Sequence, residues 1–532
     1  MPEGRKPKRY SFDQTPSVGS SVNQVRLLVD QAELMEHLRR LVQELTLAGY
    51  QLDRSAFEYL KNMKDAEAAA FARRLLVKIG DKKNSGGILT RQEMLQLVAP
   101  EPVPSLDIKP SMRTKAPAKQ ISPRVEIIRD PAKEIGTGGS IEDFSHYFQD
   151  RFRKLVSALR DRQDTRDATT IMQALRSTQN EKVKILAMVM EKRERQRKLL
   201  LQVDDLEDSA TVLVSPDDRP AYEIAQQVPL DQVVCIAGVR AKGDLIVAKQ
   251  ILLPDIPEHK PHVAEEEVWA VLLSDLHVGS KMFLGDTLGR VSDWLNLKIG
   301  DPNQRTIAER TKYVVICGDI VDGIGIYPRQ EQELAIPDLY GQYQEAAKYI
   351  GMIPSHIETV ILPGNHDPVR QALPQPPIPK DFGEPIYESR RLISLANPAE
   401  VAMHGVRFLL HHGRSLDDIV ASVHSMDFNQ PERAMRLQLQ CRHLASEYGN
   451  RTSIAPEKAD HLVIEAVPDV FQSGHVHVVK HENYRGTQII NSGAWQAQTD
   501  YQRRVGLVPT PGILTAINLR TLQVRLINFM TG

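Results

Sequence analysis

The sequence lacks the features that define several common classes of protein. Its 532 residues include only three cysteines, Cys235, Cys317 and Cys441, which are far apart and form no Cys-x-x-Cys pair. This spacing supports neither a disulfide framework nor a zinc site built from paired cysteines. No apolar run approaches the roughly 18–20 residues that a membrane span needs, and the basic, polar N-terminus has no apolar segment typical of a signal peptide. We therefore expect a soluble, cytoplasmic protein.

Net charge and aromatic residues are also scarce. The 67 Lys and Arg residues against 68 Asp and Glu residues leave a formal charge of −1, and aromatic residues make up 5% of the chain. The overall charge therefore gives no sign of a nucleic-acid partner, so any basic surface must be local. The chain is nevertheless 41% hydrophobic, which allows sizeable cores, and its length suggests about two to four domains.

Composition and periodicity divide the first half of the chain into four stretches. Residues 1–22 look disordered, and residues 23–98 repeat apolar positions at helical spacing, which predicts a helical N-terminal module. Residues 99–124 are rich in Pro and Lys and predict a linker. Residues 125–260 contain the helical stretch GSIEDFSHYFQDRFRKLVSALRDR, with Ser140 as its cap, and then five short β-type runs.

The five β-type runs fit a small barrel of the OB-fold type. OB-folds that bind single strands use aromatic side chains on which bases stack. Between residues 181 and 253 the only aromatic residue is Tyr222. We therefore expect this barrel to dock a protein or to have a structural role.

The remaining residues, 264–532, predict a layered α/β domain. Five apolar runs each end abruptly in a polar loop, namely VWAVLLSDLH, YVVICGDI, TVILPGNHD, VRFLLHHG and DVFQSGHVH. In such folds the loops at the carboxyl ends of strands hold the ligand site.

Each of these loops carries side chains of the kinds that bind metals. They are Asp275, His277, Asp319, Asp322, Asn365, His366, Asp367, His411, His412, His475 and His477. At a strand end, residues i and i+2 are expected to point to the same side, so that an Asp-x-His or His-x-His pair reaches one metal or two adjacent ones. One histidine near a strand end is usually a packing residue, but five such loops in order are hard to obtain by chance.

The predicted ligands are oxygens and nitrogens without a thiolate, which favours ions such as Mn²⁺, Fe²⁺ or Zn²⁺. About seven ligands exceed the needs of one ion. They predict two metals about 3.5–4 Å apart, the arrangement that hydrolyses phosphate esters. We expect Mn²⁺, with Mg²⁺, Fe²⁺ or Zn²⁺ as alternatives.

The series DLH, GDIVDG, GNHD, HHG and GHVH resembles the calcineurin-like metallophosphoesterases, and most closely their nuclease branch, over about residues 264–532. The resemblance implies a four-layer α/β fold with two metal sites that share Asp319. The other ligands of the first site would be Asp275, His277 and His477, and those of the second would be Asn365, His412 and His475. The resemblance also implies that His366 stabilises charge at the scissile phosphate, that Asp322 orients His366, and that His411 is a packing residue.

A narrower resemblance covers nearly the whole chain. The stretches GIGIYPRQEQELAIPDLYGQY and PGNHDPVRQALPQPPIP, together with the order of helical module, tether, OB-fold and phosphoesterase, resemble the small subunits of archaeal D-family DNA polymerases. This implies a 3′→5′ proofreading exonuclease that acts on primer-template DNA or a single-stranded 3′ end and binds a large catalytic subunit. Two alternatives stay open: another dinuclear phosphatase, acting on phosphoproteins or cyclic nucleotides, and a mainly non-catalytic polymerase scaffold.

One further stretch lies near the C-terminus. QVRLINFM, Gln523–Met530, resembles the pattern that binds a sliding clamp, with Gln followed by an aliphatic residue at +3 and Phe at +6. The alternative is a final β-strand, because VRLINF is apolar and β-prone.

Overall fold

A computed structural model describes Thr46, residues 50–61, Leu75, and residues 87–90, 93–94, 116–504 and 506–530. The chain divides into two compact units, Met1–Met112 and Arg113–Gly532. The predicted disordered segment 1–22 and residues 99–115 of the predicted linker lie outside the described residues. Within the described ranges, none of the helices combines the length and the apolar character that crossing a membrane requires.

The first unit contains strands as well as a helix. Strand β1 (Tyr50–Leu52) pairs in parallel with strand β2 (Gly87–Leu89), and the helix Arg54–Lys61 follows β1. The prediction of a purely helical module is therefore wrong in this part. Each strand has only three residues, which is too short to show a period of two. Most of the predicted helical module, residues 23–98, lies outside the described residues.

The second unit includes part of the predicted linker. Ala116 and Ala118 are buried, the 3₁₀ helix Pro117–Gln120 follows, and the Lys312 ammonium donates to the Ala118 carbonyl at 3.1 Å. Residues 116–124 are therefore anchored at Ala116, Ala118 and Arg124 rather than forming a free tether, because the Arg124 N–H also donates to the Tyr313 hydroxyl at 2.8 Å. These contacts with a distant part of the chain override a composition typical of linkers. The next strand, β3 (Val125–Arg129), pairs with a strand of the C-terminal half and not with the barrel.

A closed five-stranded barrel forms where five strands were predicted, so this part of the fold prediction is confirmed. Its strands are β4 (Lys182–Arg195), β5 (Lys198–Asp204), β6 (Ser209–Val214), β7 (Val233–Arg240) and β8 (Leu245–Leu252). They close in the order β4-β5-β6-β8-β7. Three helices accompany it: Ile141–Arg160, Ile171–Arg176 and Arg219–Gln227. The first begins at Ser140 with the expected capping box.

Two six-stranded sheets make up the C-terminal half, with strand orders β12-β11-β10-β9-β18-β19 and β16-β17-β15-β14-β13-β3. The strands are β9 (Trp269–Leu273), β10 (Thr311–Cys317), β11 (Glu358–Leu362), β12 (Ile393–Ser394), β13 (Ala399–Met403), β14 (Val406–Leu410), β15 (Val470–Ser473), β16 (Lys480–Tyr484), β17 (Thr487–Asn491), β18 (Ile513–Asn518) and β19 (Val524–Asn528). The helices of this half are Gly285–Leu295, Pro302–Arg310, Leu339–Gly351, Lys380–Ser389, Leu416–Ser422, Pro431–Cys441 and Asp500–Arg504. Two further 3₁₀ turns are Pro131–Lys133 and Gln330–Gln332.

The two sheets share a core and are covered on their outer faces. Ala270 and Leu272 of β9 pack with Phe408 of β14 between the sheets, whereas Val271 and Leu273 of the same strand face the helices on the other side. Burial on both faces explains the continuous apolar runs in the sequence. The neighbours β9, β10 and β11 are parallel, as are β14 and β15. The loops that follow the parallel strands of each sheet therefore leave from one edge of that sheet.

The C-terminal stretch folds as the predicted final strand, β19, paired with β18. Phe529, which is the aromatic residue of the clamp-like pattern, is 4% exposed and contacts the rings of Trp294 and Trp495 at 5.7 and 6.4 Å. Clamp binding through Phe529 would require the strand to leave the core, so the structure gives this prediction no support.

A buried charge network ties the helix Ile141–Arg160 to the C-terminal half. Arg151 is fully buried, and its Nε donates to Asp460 Oδ2 at 2.7 Å. His443 Nε2 lies 2.8 Å from the same carboxylate oxygen, and His443 Nδ1 accepts from the Ala445 N–H at 3.1 Å. A neutral imidazole that carries its proton on Nε2 satisfies both contacts. The geometry therefore favours the uncharged form of His443.

This neutral histidine should make stability depend on pH. Burial, together with Arg151, lowers the pKa of His443 to about 4, against about 6.5 in an unfolded chain. Between these values the unfolded chain binds a proton that the folded chain does not, so stability falls as the pH falls. We expect the stability advantage of the wild type over His443→Gln to shrink by about 1–2 kcal/mol between pH 7 and pH 5. Urea unfolding at the two pH values measures it, with the exposed His424→Gln as control, and an advantage independent of pH would contradict the assignment.

Candidate functional site

The five loops after β9, β10, β11, β14 and β15 converge on one cluster of polar side chains. Three groups in it bring possible metal-ligand atoms within 4.8 Å of one another: Asp275, His277 and His477; His277, Asp319 and His366; and Asp319, His412 and His475. His277 belongs to the first two groups and Asp319 to the last two. The three groups therefore form one continuous cluster, with Asp319 between its two ends.

At the first end, imidazoles and carboxylates face each other at short distances. His477 Nε2 lies 3.3 Å from Asp275 Oδ1 and 2.9 Å from His277 Nε2. His277 Nε2 is also 3.8 Å from one oxygen of Asp275 and 3.8 Å from one oxygen of Asp319. Two carboxylates and two ring nitrogens thus point at a common centre.

The second end adds an amide oxygen. His412 Nε2 lies 3.2 Å from Asp319 Oδ2 and 3.2 Å from Asn365 Oδ1. His475 completes this end, and its Nε2 contacts Asp417 Oδ1 at 3.1 Å. Because Nε2 is occupied in this way, Nδ1 is the nitrogen of His475 left for the cluster.

Each of the four imidazoles at the two ends has its other ring nitrogen held by the protein. The contacts are His277 Nδ1 to Asp322 Oδ1 at 3.1 Å, His412 Nδ1 to the Cys317 carbonyl at 2.8 Å, His477 Nδ1 to the Gln502 amide at 2.8 Å, and His475 Nε2 to Asp417. Metal-binding histidines typically have such outer contacts, which fix the orientation of the ring. Asp417 and Gln502 were not predicted, because neither belongs to a recognisable motif.

Asp322 contacts His366 through its backbone and His277 through its side chain. His366 Nδ1 contacts the backbone carbonyl of Asp322 at 2.6 Å, not its carboxylate. The Asp322 carboxylate instead contacts His277 and accepts from the Gln496 amide at 3.0 Å. Asp322 therefore holds His366 through its backbone carbonyl and not through its side chain, because the loop after β10 turns the carboxylate towards His277. His366 Nε2 lies 3.9 Å from Asp319 Oδ2.

The backbone of the cluster departs from the predicted strand ends. Asp275, His277, Asp319, His475 and His477 all have φ between 51° and 69°. Both residues of the Asp275/His277 pair and both residues of the His475/His477 pair thus have a left-handed backbone. The prediction that each pair occupies positions i and i+2 of an extended strand is therefore wrong. Such conformations cost about 1–3 kcal/mol per residue and concentrate at functional sites.

A glycine makes room for the cluster. Gly318 has φ +87°, and a Cβ there would lie 2.5 Å from His412 Nδ1. The close approach of β10 to this imidazole therefore requires glycine.

Positive charge next to Asp319 is strongly favoured. Burial by itself lowers the pKa of His277, but Asp275, Asp322 and Asp319 raise it to about 10. Burial also lowers the pKa of His412, but the nearby charge of Asp319 outweighs this effect and raises the pKa to about 9. Burial would raise the pKa of Asp319, yet its imidazole neighbours, His412 first, hold it below its usual range. Buried carboxylates of this kind need a cation or imidazolium beside them, so the donor set fits divalent metals.

Two other predicted side chains lie behind the cluster. His411 is buried, with Nδ1 3.0 Å from Asn397 Oδ1 and Nε2 3.2 Å from the Ser415 hydroxyl, and burial lowers its pKa to about 3. Asp367 accepts from the Tyr343 hydroxyl at 2.7 Å, and burial raises its pKa to about 6. Both residues are bound by their neighbours and support the loops.

The cluster lies at the floor of a cavity of about 490 Å³. Its walls include Tyr327, Arg414, Phe428, Arg451 and Tyr501, none of which was predicted as a site residue. A volume of this size is in the range of small-molecule binding sites. The cavity can therefore admit a group the size of a nucleotide.

Sequence comparison places this geometry in a family. The chain is 36% identical over 493 residues to the DNA polymerase II small subunit of Methanothermobacter thermautotrophicus, and the match covers 92% of this chain and 99% of that protein. The chain belongs to the family of DNA polymerase II small subunits. The Archaeoglobus fulgidus member is 35% identical over 475 residues, with 89% and 94% covered. The Pyrococcus furiosus member is 39% identical over 404 residues, with 75% of this chain and 66% of that protein covered.

A family model that describes the B-type subunits of DNA polymerases alpha and epsilon matches residues 270–478. This range contains every predicted site residue of the five loops. Among solved structures, a novel archaeal phosphodiesterase is similar to 49% of this chain and 99% of its own, at 14% identity and a TM-score of 0.25. A TM-score of that size is too low to assign a fold.

Proposed function

We propose that this chain is the 3′→5′ proofreading exonuclease subunit of a heterodimeric archaeal DNA polymerase, whose large partner subunit adds nucleotides. The observation that carries the proposal is the central position of Asp319, shared by the group with His277 and the group with His412. Such an arrangement suits two adjacent metals, the usual machinery for hydrolysing phosphodiesters. Membership of the small-subunit family supports the polymerase context and the large partner.

Two finer fold assignments are part of this proposal. We assign the two facing sheets to the calcineurin-like phosphoesterase type, because loops after parallel strands of both sheets meet at one oxygen- and nitrogen-rich cluster. We assign the closed five-stranded barrel to the OB type.

The donor set divides into two metal sites. One would be held by Asp275, His277, Asp319 and His477, and the other by Asp319, Asn365, His412 and His475. Carboxylate, imidazole and amide donors favour Mn²⁺, with Mg²⁺, Fe²⁺ and Zn²⁺ as alternatives. When bound, such ions supply hydroxide near neutral pH and neutralise charge on the phosphate.

His366 is the residue of this chain placed to act on the phosphate. Its Nδ1 is fixed by the Asp322 carbonyl, which leaves Nε2 to meet a ligand in the cavity that His366 lines. Burial lowers the pKa of His366 to about 4, but a phosphate oxygen beside Nε2 would favour the protonated form. In that form Nε2 donates a hydrogen bond to the oxygen and stabilises the charge that develops there. Asp322 takes part by holding His366 through its carbonyl and His277 through its carboxylate.

The test is a nuclease assay on end-labelled primer-template DNA with Mn²⁺ or Mg²⁺, using this subunit alone and with its large partner. We expect stepwise removal of nucleotides from the 3′ end. Loss of phosphate from a phosphopeptide without digestion of DNA would assign the site to the phosphatase alternative. Intact DNA in every condition would refute the exonuclease.

Asp322 gives a further prediction, which concerns metal affinity. Asp322→Asn removes the charge that orients His277, so we expect Mn²⁺ to bind about 10–100-fold more weakly, as for other outer contacts of metal ligands. Titration calorimetry measures the affinity, and the exposed Asp286→Asn serves as control. Equal affinity in Asp322→Asn and the wild type would show that this contact does not support a metal site.

A further inference from the structure

The cavity wall carries two stacked tyrosines, Tyr327 and Tyr501, which we call the tyrosine platform. Their ring centroids are 5.5 Å apart and their planes differ by 25°. The Tyr327 centroid lies 6.4 Å from that of His366. Tyr501 is 49% exposed, so the pair is not explained by packing in the core. It presents an aromatic face to solvent next to the proposed reaction centre.

The loop that carries Tyr327 is held in place by buried amides. The Gln330 amide nitrogen donates to the Asp322 carbonyl at 2.7 Å, and its oxygen accepts from the Ile326 N–H at 2.8 Å. The Tyr327 hydroxyl donates to Glu333 at 3.1 Å. The platform is thus fixed relative to the loop that positions His277 and His366.

Two arginines line the same cavity. Arg414 is half-buried and Arg451 is exposed. Within the part of the chain that the structure describes, no hydrogen bond or ion pair occupies either guanidinium. Guanidinium groups with free donors are well suited to bind phosphate. The cavity therefore combines an aromatic face with two phosphate-binding side chains.

We propose, building on the proposed nuclease function, that the tyrosine platform stacks a nucleobase adjacent to the scissile phosphate, while Arg414 and Arg451 hold a neighbouring phosphate. The ligand class is then the unpaired end of a polynucleotide. A base in a duplex is covered by its neighbours, whereas an unpaired base offers its face. Stacking tolerates any base, because every base has a π-face. The cavity would thus provide the aromatic surface for base stacking that the barrel, with Tyr222 as its single aromatic residue between residues 181 and 253, lacks.

The experiment compares two single-stranded oligonucleotides that differ only in whether the last two residues at the 3′ end carry bases or are abasic. We expect wild-type kcat/KM to favour the oligonucleotide with bases by about tenfold, within the range of base–aromatic stacking. Tyr501→Ala should bring this ratio close to one. Tyr501→Phe, which keeps the ring, and Tyr340→Ala, which removes a tyrosine that is 39% exposed elsewhere, should keep the preference.

A binding measurement separates failure of this proposal from failure of the nuclease function. Two oligonucleotides carry the fluorescent base 2-aminopurine, one at the last position and one at the position before it, and each is mixed with the protein in EDTA. We expect stacking on the tyrosine platform to quench the fluorescence of one of them in the wild type, and to quench it less in Tyr501→Ala. If the wild type hydrolyses neither substrate, the proposed nuclease function is wrong. The fluorescence quenching then tests by itself whether a base stacks on the tyrosine platform. Equal quenching in the two proteins, or an unchanged kcat/KM ratio in Tyr501→Ala, would overturn the proposal.

Discussion

Replacing Asp319 with asparagine should reduce Mn²⁺-dependent hydrolysis of DNA by at least about a thousandfold, because charge stabilisation by metals is worth several kcal/mol. The Asp319 carboxylate is common to both ends of the cluster, 3.2 Å from His412 Nε2 and 3.8 Å from His277 Nε2. A neutral amide cannot balance two cations. Asparagine is preferable to alanine, since residue 319 has φ +51° and asparagine tolerates the left-handed region.

The measurement is the rate of digestion of an end-labelled oligonucleotide at saturating enzyme, together with the number of Mn²⁺ ions bound per chain. Asp381→Asn, which changes an exposed carboxylate, is the matched control and should retain the wild-type rate. Circular dichroism should show the same fold for all three proteins. Digestion at the wild-type rate by Asp319→Asn would refute the assignment of the site.

Replacing Arg151 with methionine should lower the free energy of unfolding by about 3–5 kcal/mol, the usual cost of breaking a buried ion pair from one side. Arg151 and Asp460 are both fully buried. Burial alone would raise the pKa of Asp460, but the hydrogen bond from His443 and the hydrogen bond and charge of Arg151 hold it well below its usual range. Without the guanidinium, the buried carboxylate of Asp460 would keep only uncharged partners, the His443 imidazole at 2.8 Å and the Leu462 N–H at 2.9 Å. The Ser446 carbonyl would also lose a donor 2.5 Å away.

Denaturant unfolding measures this loss. Arg153→Met is the matched control on the same helix, because Arg153 is exposed, and it should change stability by no more than about 0.5 kcal/mol. Asp460→Asn in the Arg151→Met background should restore part of the loss, since it removes the unpaired charge. Equal effects of Arg151→Met and Arg153→Met would show that the buried pair does not stabilise the fold.

Much of the fold could be predicted because the burial of one or both faces of a strand produces a recognisable pattern of apolar residues in the local sequence. The runs that became β9, β10 and β11 are continuously apolar because both faces of their sheet are covered, and the barrel strand β5 alternates because only one face is buried. Predictions failed where local signals were weak or overridden. The strands β1 and β2 are too short to show a period, and the Pro- and Lys-rich residues 116–124 are anchored to the fold by distant contacts.

For the site, the sequence by itself determined which residue types stand at the ends of which strands, and hence the class of chemistry that they can support. Only the tertiary structure decided which atoms meet. His277 and His477 are 200 positions apart, yet their ring nitrogens are 2.9 Å apart, because packing of the two sheets brings their loops together. The left-handed backbone at Asp319, the turn of Asp322 towards His277 and the stacking of Tyr327 on Tyr501 follow from the same convergence. No local pattern encodes them, since each depends on neighbours supplied by distant parts of the chain.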